Sequence, residues 1–143
     1  MLVGISPLIS PDLLSTLSRM GHGDEIVMAD AHFPGESINP HVIRADGLKI
    51  VPLLDAILPL FALDKSFDYP LIMMAPTPGD SIDIQVEKAY IQSVRKIWPD
   101  TPDVQKIERF TFYDRAKNAF AIVMTGDTAT YANIILRKGV TPL

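Results

Sequence analysis

The chain contains no cysteine. Disulfides, thiolate metal sites and a cysteine nucleophile are thereby excluded, and the absence fits a reducing compartment. Basic residues are also sparse, with 13 Lys and Arg against 17 Asp and Glu for a net charge of −4. They are scattered rather than clustered, so no nucleic-acid groove is expected. A basic n-region is missing from the N-terminus, and Pro7 interrupts its apolar patch, so no signal peptide is read. The most apolar run, residues 50–63, carries Asp55 and two prolines and is too short to span a bilayer. The expectation is a cytoplasmic protein with neither a membrane nor a nucleic acid as partner.

At 143 residues the simplest reading is one domain, 1–143. A chain of this size can bury roughly 68–70% of its extended surface, enough for a core without a covalent staple. Its apolar content of 48% is high for a globular domain, which points to surface buried between subunits.

Along the chain, Ser10-Pro11-Asp12 has the pattern of a helix start: a capping hydroxyl, a first-turn proline and an acid placed for the dipole. Leu13, Leu14, Leu17 and Met20 follow at helical spacing, and Gly21 is the expected left-handed stop. Residues 25–30 form a short apolar run consistent with a buried strand. A turn at Phe33-Pro34-Gly35 leads through a loop to an extended piece at 41–44. Leu53, Leu54, Ile57, Leu58 and Phe61 predict a helix entered near Pro52 and kinked or ended by Pro59. Strands are expected at 71–74, near 104–109, at 119–124 and at 133–137. Helices are expected from Val86 to Ile97 and, shorter, over 113–118. Alternating helices and strands without internal repeats predict a layered α/β domain.

The chemistry-bearing residues gather first around Gly21-His22-Gly23-Asp24-Glu25 and the strand that runs into Asp30. In α/β proteins ligands collect beyond the carboxyl ends of strands, where Asp30 is expected. His22 carries a ring whose ordinary pKa, about 6.5, lets it give and take protons near neutrality. The pair suits a sugar or other small polyol, the aspartate gripping it while the histidine moves protons. Structural readings stand beside these: a cation past a helix end is favoured by the dipole alone, and Asp30 can serve as a turn former. Asp30 and His32 with His22 and Asp24 can also be read as a metal-ligand set, although no helical His pair accompanies them. In Arg109-Phe110-Thr111-Phe112-Tyr113, an extended backbone would put Arg109, Thr111 and Tyr113 on one face and both phenylalanines in the core. Tyr131-Ala132-Asn133 would likewise project a phenol and an amide together, or simply enter the core as an edge strand. Either segment can supply donors to hydroxyl groups.

Taken in order, several long motifs resemble the L-fucose mutarotase family, relatives of the D-ribose pyranases. They are Ile5-Ser6-Pro7-Leu8-Ile9-Ser10-Pro11, Met20-Gly21-His22-Gly23-Asp24-Glu25, Asp30-Ala31-His32-Phe33-Pro34, Val42-Ile43-Arg44-Ala45-Asp46-Gly47, Arg109-Phe110-Thr111-Phe112-Tyr113 and Lys138-Gly139-Val140-Thr141-Pro142. The resemblance implies a three-layer α/β/α sandwich around a mixed central sheet. It implies an enzyme, an isomerase that interconverts the α and β anomers of L-fucose or a related aldose such as ribose, with no cofactor and no metal. His22 would be the proton donor, with Asp30, Arg109 and the segment Tyr131, Ala132 and Asn133 contacting the sugar. Tyr113 is a further acid/base candidate. Position 132 is often glycine in this family and is alanine here. Bacterial members form ring-like decamers with active sites near subunit contacts, so a homo-oligomer is implied. A non-catalytic sugar-binding or sensory module, and behind it a metal-dependent hydrolase, remain the competing classes.

Overall fold

A computed structural model describes the whole chain, Met1–Leu143. In chain order the elements are α1 (Pro11–Arg19), β1 (Glu25–Ala29), α2 (Gly35–Ile38), β2 (Val42–Ala45), α3 (Ile50–Ile57), β3 (Leu71–Met74), α4 (Ile84–Ile97), β4 (Gln105–Ile107), α5 (Arg109–Asn118), β5 (Ala121–Thr125) and β6 (Ile134–Arg137). A 3₁₀ turn, Leu58–Leu60, continues α3 around Pro59.

The helix starts follow from local chemistry. Ser10 accepts a hydrogen bond from the Leu13 amide with Pro11 in the first turn, and Asp83 accepts from the Gln85 amide at the start of α4. Each satisfies a donor that has no partner inside the helix. Helix α1 does not end as expected, because Gly21 is not left-handed. Met20 is extended, and the left-handed residue is Gly23, at φ 88°. The one-turn α2 forms where a plain loop was expected.

The six strands form one mixed sheet in the order β2-β5-β1-β6-β3-β4. β1 and β2 lie parallel to β5, and β3 lies parallel to β4. β6 runs antiparallel to both β1 and β3, so it is a central strand rather than an edge.

Side chains alternate across the sheet with a period of two, and both faces are apolar. Ile26, Met28, Val123, Ile134, Leu136 and Met73 face α1, α3 and α4. Val27, Ala29, Ile122, Met124, Ile135 and Ile72 face Phe33 and the α5 residues Phe112 and Ala116. Continuous apolar strands are what a sheet covered on both sides requires, and the result is the three-layer α/β/α sandwich expected. Each fully buried aliphatic side chain contributes roughly 1.5–3 kcal/mol. No helix is long and apolar enough to cross a membrane.

Backbone closeness at the end of β5 needs a glycine. A Cβ on Gly126 would lie 2.0 Å from the Asp46 carbonyl oxygen, and the Gly126 amide donates to the Leu48 carbonyl at 2.8 Å. Gly126→Ala should therefore cost at least about 1–3 kcal/mol through forced backbone movement. The cost is read as a lower urea midpoint at fixed protein concentration; an unchanged midpoint would contradict this packing.

Candidate functional site

Asp30 follows the last residue of β1 and is 6% exposed. Its amide donates to Asn133 Oδ1 at 2.8 Å, and its own Oδ1 accepts the His32 amide at 2.9 Å. Asn133 immediately precedes β6, which pairs with β1, so the strand pairing brings residues 103 positions apart together. Burial pushes the Asp30 carboxyl above its usual range, against the smaller lowering effect of the His32 amide and charge.

Arg109 arrives differently from the extended reading. Glu108 caps α5 by accepting hydrogen bonds from the amides of Phe110 and Thr111, so 109–118 is helical from its first residue. Residues four apart then stack, and Arg109 Nε donates to the Tyr113 hydroxyl at 3.2 Å. Thr111 leaves that face. Phe112 is buried as expected, but Phe110 is 66% exposed rather than in the core.

Tyr131 lies in the left-handed region, at φ 54°, a conformation that costs a non-glycine residue about 1–2 kcal/mol. Its hydroxyl compensates by donating to Asp80 at 2.6 Å and meeting the Thr77 hydroxyl at 3.0 Å. The Thr77 amide also donates to it, at 3.2 Å. Hydrogen bonding from Tyr131, then from Thr77, holds the Asp80 carboxyl below its usual range. Sequence reasoning took residues 76–80 as a plain loop and missed this anchor. Ala132 is fully buried, and its carbonyl accepts from the Tyr90 hydroxyl at 2.8 Å. Its carbonyl is therefore engaged by the core side.

Asp30, Arg109, Tyr131 and Asn133 line one open pocket of about 240 Å³. Tyr113, Thr130, His32, Phe33, Pro34 and Met74 complete its wall. The volume lies below the roughly 300–1,000 Å³ of pockets for drug-sized ligands, and suits a smaller polar molecule. It sits beyond the carboxyl ends of the parallel strands, where α/β ligand sites are generally found.

His22 is elsewhere. It precedes β1, whereas Asp30 follows it, and a strand advances about 3.3 Å per residue. The two residues therefore stand roughly 20 Å apart at opposite ends of the sheet. The ring is half-exposed, with Nε2 3.1 Å from Oδ1 of Asp64 and 3.3 Å from the Ser66 hydroxyl. The expectation that His22 and Asp30 meet within one chain is not met. The alternative ligand set is split the same way, His22 and Asp24 at one end of β1 and Asp30 and His32 at the other. No three His, Asp or Glu side chains gather at metal-binding spacing.

The RbsD / FucU transport protein family matches residues 3–141. The L-fucose mutarotase of Actinobacillus pleuropneumoniae serotype 5b (strain L20) is 53% identical over 143 residues, spanning 100% of this chain and 99% of that protein. A crystal structure of the fucose mutarotase in complex with L-fucose from Streptococcus pneumoniae superposes with a TM-score of 0.92. That protein is 45% identical, and the match covers 99% of this chain and 100% of that one. The structure of Bacillus subtilis RbsD complexed with D-ribose shares the fold, with a TM-score of 0.69 at 23% identity over 99% of this chain and 100% of that one. Matched almost from end to end in both sequence and fold, the chain belongs to the RbsD / FucU family.

Proposed function

We propose that this chain is a sugar mutarotase, an isomerase that interconverts the α and β anomers of L-fucose or a related aldose. The observation that carries the reading is the convergence of Asp30, Arg109, Tyr131 and Asn133 on one monosaccharide-sized pocket. In support, a relative 53% identical is an L-fucose mutarotase, and a 45% identical structure holds L-fucose. The protein acts as a single domain over 1–143, in the cytoplasm, as a homo-oligomer.

Mutarotation moves only protons. The anomeric hydroxyl loses one and the ring oxygen gains one, the ring opens, and it closes on the other carbonyl face. Positioned acid/base groups contribute about 10²–10⁴-fold to such a step, a suitable scale for a reaction that water already supports. Asp30 and Asn133 hold hydroxyls from the β1–β6 side, and Arg109 supplies donors from α5. Tyr131 closes the rim, and Tyr113, whose oxygen accepts from Arg109, is a second proton-exchange candidate. The main acid/base group is His22, supplied by a second copy of the chain. Its separation from Asp30 along β1 supports that assignment, because one chain cannot place its own imidazole over its own pocket.

L-fucose anomer exchange followed by saturation-transfer NMR should be faster with the protein present, and His22→Asn should reduce that acceleration by about 10²–10⁴-fold. Binding without accelerated exchange would instead indicate a sensory module.

Asp30 gives a second expectation. A folded-state pKa raised above the unfolded value contributes stability below the unfolded pKa, and that contribution is lost as pH rises through the folded pKa. At neutral pH the buried charge is therefore a cost. Asp30→Asn should raise the urea midpoint at pH 7 while weakening L-fucose binding by titration. A lower midpoint with unchanged binding would sink both assignments.

A further inference from the structure

We propose that Asp64 is a positioning residue for His22: it holds the imidazole as the Nε2–H tautomer and leaves Nδ1 as the proton-exchanging atom. The inference rests on the reading of His22 as the acid/base group.

Asp64 is 3% exposed, and each of its carboxylate oxygens is engaged. Oδ1 accepts from the Ser66 amide at 3.0 Å and the Ser66 hydroxyl at 2.6 Å, and faces His22 Nε2 at 3.1 Å. Oδ2 accepts from Arg137 Nε at 3.0 Å. With its proton committed to Asp64, the Ser66 oxygen meets Nε2 as an acceptor too, at 3.3 Å. Both neighbours of Nε2 are then acceptors, so Nε2 carries the hydrogen. In a neutral imidazole the other nitrogen must hold the lone pair. Both hydrogen bonds of the ring fall on Nε2, which leaves Nδ1 open on a half-exposed ring.

The backbone holds this geometry from two sides. The Gly139 amide donates to the Ala62 carbonyl at 2.7 Å, and the Asp64 amide donates to the Arg137 carbonyl at 3.1 Å. A Cβ on Gly139 would lie 2.3 Å from the Leu63 carbonyl oxygen, so glycine permits the close approach that delivers Asp64. On the other side the Gly23 amide donates to the Lys138 carbonyl at 2.8 Å, and the Lys138 amide to the Asp24 carbonyl at 2.8 Å. His22 thus sits in a turn tied to the same segment.

The charges around Asp64 favour its ionised, acceptor-only form. Arg137 lies between it and Glu25, which also pairs with Arg115 of α5, and the Arg137 guanidinium stacks 4.2 Å from the Phe67 ring. Burial pushes the Asp64 carboxyl up, but hydrogen bonds from Ser66, His22 and Arg137 outweigh it and hold the carboxyl well below the usual range. An aspartate retained only to neutralise Arg137 would leave the tautomer of His22 unconstrained.

The test combines a spectrum with kinetics. In protein labelled with ¹⁵N at histidine, with His22 identified by loss of its signals in His22→Asn, neutral His22 should show the Nε2–H pattern. Asp64→Asn cannot satisfy both sides, because its NH₂ must face either Arg137 or the Ser66 and His22 group. It should mix in the Nδ1–H form and lower kcat for anomer exchange at least about tenfold, with KM within about twofold. Ser66→Ala should retain the Nε2–H form, since Asp64 remains. Wild-type His22 in the Nδ1–H form would overturn the proposal even if Asp64→Asn fails to fold, and so would Asp64→Asn with wild-type kcat. Full exchange in His22→Asn would refute the acid/base reading itself, while the wild-type spectrum would still decide what Asp64 does to the ring.

Discussion

Strand β1 fixes the distance on which the candidate site depends. Four consecutive residues, Ile26 to Ala29, are completely buried between the two helical layers, with Glu25 opening the strand and Asp30 just past its end. Hydrogen bonding to β5 on one side and β6 on the other prevents the strand from folding back. Whatever chemistry Asp30 and His22 share must therefore bridge the length of the strand, and one chain cannot do it. Symmetric association can, because a surface at one end of a copy then meets a different surface of the next.

The two ends are built on different physical terms. At the Asp30 end the structure accepts costs: a buried carboxylate whose charge is unfavourable, and a tyrosine held in the left-handed region. Both are locked by neighbours, the His32 amide for the first and Thr77 with Asp80 for the second. Strain and unfavourable burial collect at functional sites because surrounding structure over-determines them. At the His22 end the polar groups are mutually satisfied instead. Glu25, Arg137, Asp64 and Ser66 form one connected network, and a network with every member paired is rigid. In the proposed reading one end receives the ligand and the other holds the ring still.

Much of the fold was legible because a two-sided sheet needs apolar strands. The runs at 71–74 and 25–30 could hardly be anything else, and the cap at Ser10 marked α1 without ambiguity. The misses have local causes. Alternating aromatics around Phe110 imitate a strand, and the decisive signal was Glu108 as a helix cap, a residue type seldom read that way. Gly21 and Gly23 are both plausible helix stops, and only tertiary contact with residue 138 selects the left-handed one. The four pocket residues were singled out by their chemistry and joined into one site by the resemblance, which carries order along the chain but not distance. The strand expected at 25–30 already lay between His22 and Asp30, and its rise per residue keeps the two apart. The roles of Asp64 and Asp80 depend on pairings 42 and 51 residues away in the chain, and no local pattern announces them.

The central claim is that a working site takes its pocket from one copy and its imidazole from another. Mixing two impaired variants tests it most directly: His22→Asn retains an intact pocket, and Asp30→Asn retains an intact histidine. Co-expressed in equal amounts, they should recover anomer exchange at about a quarter of the sites, because half the pockets and half the imidazoles are whole. A mixed assembly no more active than the two variants kept apart would contradict the account.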